Sequence, residues 1–149
     1  MKNMNHHGFT LVEAIASIVV VSIVLTTAAI LIVNAYNQSV ATSRQIDAVQ
    51  VGSRIRDDIA ADATYAAVAA WMDGAAATLT ADSCDDPGSP FSCGLFAYEA
   101  DGVVYDAEVA VSFAAPTAES LLYKVIRFTV VVTYYGERTI SIEGMIYDV

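Results

Sequence analysis

Twenty consecutive residues, Ala14 to Val33, carry no charge and are mostly apolar. As a helix, such a run rises about 30 Å, the thickness of a bilayer's hydrocarbon core. A cleaved secretory signal is the competing reading, and Val33-Asn34-Ala35 offers a small-residue pattern that a signal peptidase accepts. The apolar part of such signals is about 7–15 residues, shorter than this run. The run is therefore read as a membrane anchor. Lys2 and the amino terminus precede it, which places the N-terminus in the cytoplasm and the residues beyond Asn34 outside.

The chain's 149 residues allow one modest domain beside that anchor. The formal charge is −10, and the basic residues beyond Arg44 are scattered: Arg54, Arg56, Lys124, Arg127 and Arg138. No basic patch exists, which argues against nucleic-acid binding by the folded part. Net acidity instead keeps an exposed domain soluble. Cys84 and Cys93 flank "DDPGSPFS". An isolated pair in an exported domain reads as a disulfide. A zinc site needs four ligands, and His6 and His7 lie far away at the N-terminus.

The helical pattern continues beyond the anchor, because no Gly or Pro interrupts Phe9 to Val51. Ile46, Val49, Ile55 and Ile59 are expected on one side, with Arg44, Asp47, Arg54, Asp57 and Asp58 mainly elsewhere, which describes an amphipathic helix. Gly52 weakens the pattern at one point. A helix from Phe9 to about Ala60 would be about 78 Å long, far beyond a membrane crossing. Its outer half must pack on something, or on copies of itself.

One charge marks the mouth of the apolar run. "HHGFTLVEAIAS" followed by an uncharged helix resembles the class III signal of type IV pilins and pseudopilins. The likeness covers about the first 35 residues; beyond them it is architectural. It implies cleavage by a prepilin peptidase between Gly8 and Phe9, N-methylation of Phe9, and Glu13 as fifth residue of the mature chain. Gly8 suits a tight protease subsite because it has no side chain. Cleavage would create an amine on Phe9, one helical turn from Glu13. In a filament, that carboxylate is expected to face the amine of a neighbouring subunit and set the axial register, since buried charges are tolerated when paired. The competing reading is a Glu hydrated at the headgroups. Many major pilins carry a helix-breaking proline in the apolar segment, whereas Ser22 to Ile32 has none, which tilts the reading toward a minor pilin or pseudopilin. Ser22/Thr26 and Ala35/Ser39/Ser43 have small-xxx-small spacing, which permits close helix contact.

After Trp71 the pattern changes to the loop-like "MDGAAATLTADSCDDPGSPFSCG". Asp101-Gly102 signals a two-residue hairpin that sets Ala100 opposite Val103 and Tyr98 opposite Tyr105. Phe96, Tyr98, Val103, Tyr105, Val109, Val111 and Phe113 then share one face, and Glu99, Asp106 and Glu108 the other. "APTAES" reads as a connecting loop. In the second hairpin Ile126, Phe128, Val130, Val132 and Tyr134 alternate onto one face, as do Ile140, Ile142 and Ile146. Only an odd loop, such as Tyr135 to Glu137, pairs Val132 with Ile140 and keeps these faces together. Four antiparallel strands with one apolar face need a cover, and the amphipathic half of the long helix supplies it.

The expected fold class is therefore α+β. Its parts are a leader at 1–8, a membrane and assembly helix at 9–33, its amphipathic continuation at 34–72, a disulfide loop at 73–94, and an antiparallel sheet at 95–149. After cleavage at Gly8 the mature chain would lack histidine, which removes the Ser-His-Asp and Cys-His systems. Asp57, Asp58 and Asp62 read as a solvated helix face. Asp82, Asp85 and Asp86 lack the EF-hand spacing and read as a solvated acidic loop. No catalytic residue, metal or cofactor is expected. The expected partners are a prepilin peptidase, other pilin subunits, the membrane and an assembly platform. The rival reading of another class is a monomeric, membrane-anchored extracellular binding domain.

Overall fold

A computed structural model describes residues 10–85, 88–100, 102–104, 109–135 and 137–148. The chain divides into two compact units, Met1–Val40 and Ala41–Val149. In the first, helix α1 begins at Leu11, and it continues without interruption to Asp62 in the second. Ser17, Ser22 and Thr26 each donate a hydroxyl to the carbonyl four residues earlier, and Thr27 donates to those of Ile23 and Val24. The hydroxyls are thus satisfied inside the helix, which is how apolar surroundings tolerate them.

In the second unit, α2 (Tyr65–Met72) follows α1 after a break. A single helix through 34–72 is therefore corrected to two. Neither Gly nor Pro makes the break. Thr64 adopts extended backbone, and its hydroxyl accepts from the Ala67 N–H, capping α2.

The main sheet is antiparallel with strand order β1-β4-β5-β6, formed by β1 (Ala77–Thr80), β4 (Val109–Phe113), β5 (Val125–Tyr134) and β6 (Arg138–Tyr147). Its first strand comes from the stretch read as loop. The segment expected in its place forms a separate ribbon, β2 (Glu99–Ala100) with β3 (Val103–Val104). That ribbon keeps the expected Ala100–Val103 pairing, with Gly102 at φ 71° in the turn. Tyr105, Asp106 and Glu108 lie outside the described residues, as do Asp86, Asp101 and Gly136. A short helix, α3 (Ala118–Tyr123), replaces part of the loop expected at "APTAES", and Thr117 and Ser120 form a reciprocal capping box at its start.

The β5–β6 register pairs Val132 with Ile140 and Tyr134 with Arg138, leaving residues 135–137 as the odd loop that the apolar pattern demands. Phe128, Val130, Val132 and Ile146 are buried on one face with Val109, Val111 and Phe113. Helix α1 covers that face with Ala48, Val51, Gly52, Ile55 and Ile59. The stripe differs from the expected one: Ile46 is 53% and Val49 42% exposed. Small residues displace them because they let the helix approach. A Cβ on Gly52 would sit 2.8 Å from Ile142 Cδ1 and 3.2 Å from Val132 Cγ2. The glycine that weakens the helix pattern thus leaves no room for a side chain between the helix and the sheet.

Candidate assembly site

The N-terminus of α1 is built by Thr10. Its hydroxyl accepts from the Glu13 N–H at 3.3 Å, and its carbonyl accepts from the Ala14 N–H at 3.1 Å. Thr10-Leu-Val-Glu13 is thus an N-cap sequence, with a carboxylate in the turn where the helix dipole favours negative charge. The threonine's role was legible in the T-x-x-E spacing but is masked by the stronger motif around it. Glu13 is exposed. Gly8 and Phe9 lie outside the described residues.

From Leu11 to Val33 every large apolar side chain is between 52% and 77% exposed. Apolar surface on that scale is stable only in lipid or against other helices. From Leu11 to Val40 the first unit is thus an uninterrupted helix with a capped entrance and Glu13 as its one charged residue.

The second unit is fastened to the C-terminal end of α1. Tyr98 donates its hydroxyl to Asp58 Oδ2, and the Arg54 guanidinium lies 5.0 Å from the Tyr98 ring centroid. Burial raises the phenol's pKa, helped by the hydrogen bond to Asp58 and that residue's charge, while Arg54 opposes the shift. Asp58, expected on a solvated face, is instead a specific acceptor. No local spacing reveals a pair forty residues apart. Asp57 pairs with its exposed neighbour Arg56 at 2.7 Å.

Cys84 and Cys93 form a disulfide with Cα atoms 5.1 Å apart. Both thiols are consumed by that bond, so the grouping of Cys84, Asp85 and Cys93 offers no thiolate to a metal. The loop delivers Phe91 to an aromatic cluster. Its ring stacks on Phe113 at 5.3 Å and meets Trp71 edge-on at 5.9 Å. Phe113 also contacts Trp71 and Phe128, which joins α2, the loop, β4 and β5.

Comparison with known proteins places the entrance segment. The family described as "Prokaryotic N-terminal methylation motif" matches residues 3–29. That span contains Gly8, Phe9, Glu13 and most of the apolar run. No curated protein and no solved structure matches the chain. The match is to a class III prepilin signal, typical of type IV pilins and pseudopilins. The long helix on a four-stranded antiparallel sheet has the α+β architecture of a pilin. The chain carries the prokaryotic N-terminal methylation motif at residues 3–29, the signal typical of type IV pilins and pseudopilins.

Proposed function

We propose that this chain is a filament subunit, a minor pilin of a type IV pilus or a related fibre, assembled through its N-terminal helix. The observation that supports this reading is the methylation motif running directly into a helix whose apolar side chains are exposed from Leu11 to Val33. In this reading residues 1–8 are a leader, removed by prepilin peptidase between Gly8 and Phe9, and Phe9 is then N-methylated. Residues 9–33 hold the precursor in the inner or cytoplasmic membrane with its N-terminus in the cytoplasm. Residues 34–62 carry the helix outward, and α2, the disulfide loop and the sheet follow. Assembly passes the subunit into an extracellular or periplasmic fibre.

Glu13 has a place in that process. A carboxylate at mid-membrane costs roughly 2.5–3.5 kcal/mol on insertion scales, an upper figure for a residue near the interface. The amine that cleavage would create on a neighbouring subunit's Phe9 offsets part of that cost and fixes the axial step. A second reading, a pseudopilin of a type II secretion or DNA-uptake system, draws on the absence of any break in α1 from Leu11 to Asp62.

Mass spectrometry of the mature N-terminus tests the proposal. The expected product starts at N-methylated Phe9. A chain starting at Met1, or at Tyr36 after signal-peptidase cleavage, overturns it. Immunogold labelling of this subunit in sheared filaments then separates a pilus from a secretion or uptake fibre.

A further inference from the structure

The two flanks of α1 in the second unit carry opposite chemistry. On one flank, Asp58 and Asp62 border a cavity of about 270 Å³ between the helix and the disulfide loop, with Pro90, Leu95 and Tyr98 among its other walls. Both carboxylates stand near the C-terminal end of the helix, where the helix dipole favours cations, and the last turn holds no basic residue. Asp58 accepts from Tyr98. Asp62 is exposed, and its carboxylate has no hydrogen bond or ion pair among the described residues. Arg54, on the same flank, lies 5.0 Å from the Tyr98 ring centroid and pairs with neither aspartate.

The opposite flank is cationic and apolar. Gly52 meets Ile142 of β6 and Val132 of β5. At about 100° per residue, Val49 and Ile46 lie about 60° and 120° round α1 from Gly52 on one side, and Asp62 and Asp58 about 80° and 120° on the other. Val49 and Ile46, both exposed, therefore overhang the β6 edge. Strand β5 runs back along α1, since Ile126 shares a cavity with Tyr65 and Ala69 of α2 while Val132 lies under Gly52. Arg138 is the partner of Tyr134, on the face of the sheet that α1 covers and two residues past Val132. It stands about 7 Å beyond Gly52, level with Ile46 and Val49. Arg138 is exposed and forms no ion pair among the described residues.

We propose that this flank of one copy docks on the cavity flank of a second copy whose α1 runs in the same direction. The inference rests on the filament reading, in which every copy leaves the membrane the same way. Arg138 of one copy enters the cavity beside Asp58 and Asp62 of the next, and Val49 and Ile46 cover Pro90 and Leu95. The levels match when the copies are shifted along α1 by about 19 Å, the rise from residues 46–49 to residues 58–62. The proposed Glu13 pairing steps adjacent subunits by about 6 Å, four residues of helix, so this contact joins copies about three steps apart. The two surfaces differ, so the contact repeats along an array instead of closing on a dimer. Charge selects a second copy as the occupant. A guanidinium without a counter-ion and two carboxylates set against the helix dipole complete each other. A chain of net charge −10 otherwise repels its own copies, and this contact opposes that repulsion locally.

Cross-linking of the full chain in intact fibres tests this. A chain carrying both Ile46→Cys and Asp62→Cys is treated with a short bis-maleimide; Cys84 and Cys93 are bonded to each other and do not react. The expected product is a ladder of two, three and more chains, while each single variant stays monomeric. Within one chain the two positions lie about 24 Å apart along the helix, beyond that reagent. In this background Arg138→Glu is expected to remove the ladder and Arg138→Lys to keep it. With no added cysteine, Arg138→Asp and Asp62→Arg should each lower the subunit's share in sheared filaments about tenfold, and the two together should restore it. A ladder from either single variant, a product that stops at two chains, cross-linking to a different protein, or no rescue by the exchanged pair overturns the proposal. N-terminal mass spectrometry reads processing separately. A chain starting at methylated Phe9 without a ladder refutes the contact alone, whereas a start at Met1 refutes the pilin reading and the contact with it.

Discussion

Phe128 and Gly144 are cross-strand partners in β5 and β6, and the phenyl ring occupies the space a side chain at 144 would fill. A Cβ there would lie 2.2 Å from Cζ of the ring. The bare backbone lets Phe128 lie flat and reach Phe113 at 5.7 Å. Gly144→Ala must displace a buried ring and is expected to destabilise the outer unit by about 1–3 kcal/mol. Phe128→Ala, which leaves a cavity, is expected to cost about 3–5 kcal/mol. Denaturant unfolding of the full chain in detergent measures both. A neutral Gly144→Ala would show that the ring has room to move.

The disulfide holds Phe91 where it can stack on Phe113. Closing a loop of nine-residue separation contributes about 2–3 kcal/mol in the chain-entropy picture. Replacing Cys84 and Cys93 with serine is expected to lower stability by that amount and free Phe91 from Trp71. Trp71 is the chain's one tryptophan, so its emission should shift to the red on reduction. Unchanged emission would mean that the aromatic cluster holds the loop without the covalent bond.

How much of this was legible in the sequence differs by region. The apolar run, Glu13, the cysteine pair and the β5–β6 register could be read directly, because each depends on local spacing or strict alternation. Strand β1 was hidden, since "ATLT" is four residues long and flanked by turn-forming Gly, Asp and Ser. The helix stripe was misread at Ile46 and Val49 for a different reason. Periodicity ranks side chains by hydrophobicity, whereas close approach to a sheet favours Ala48 and Gly52. The Asp58–Tyr98 contact needed the fold itself.

That contact also makes a pH prediction. The Tyr98 phenol is held above its ordinary value of 10.0, first by burial and then by Asp58. The protonated phenol therefore binds its proton more tightly folded than unfolded. Its contribution is complete below pH about 10 and is lost as pH rises through the raised value. Tyr98→Phe should cost about 0.5–1.5 kcal/mol at neutral pH, the net worth of one hydrogen bond. The difference between wild type and variant should shrink as pH rises from 9 toward 11. Unfolding midpoints across that range check it; no gap at any pH would place the role of Tyr98 in the packing of its ring against Arg54.

Glu13 carries two explanations, and glutamine separates them. The Thr10 hydroxyl already accepts from the Glu13 N–H, and at this position of a capping box glutamine serves as well as glutamate. If Glu13 serves only the helix start, Glu13→Gln is expected to behave as wild type and Thr10→Ala to be the damaging change, by about 1 kcal/mol of helix stability. If the carboxylate pairs with a neighbouring subunit's amine, Glu13→Gln retains insertion and cleavage but leaves that amine without its counter-charge. The proposed filament role therefore predicts that Glu13→Gln and Glu13→Ala fail alike in assembly. The readout is the fraction of subunit in sheared filaments against that left in the membrane. Glutamine variants that enter filaments at the wild-type level would assign Glu13 to the cap.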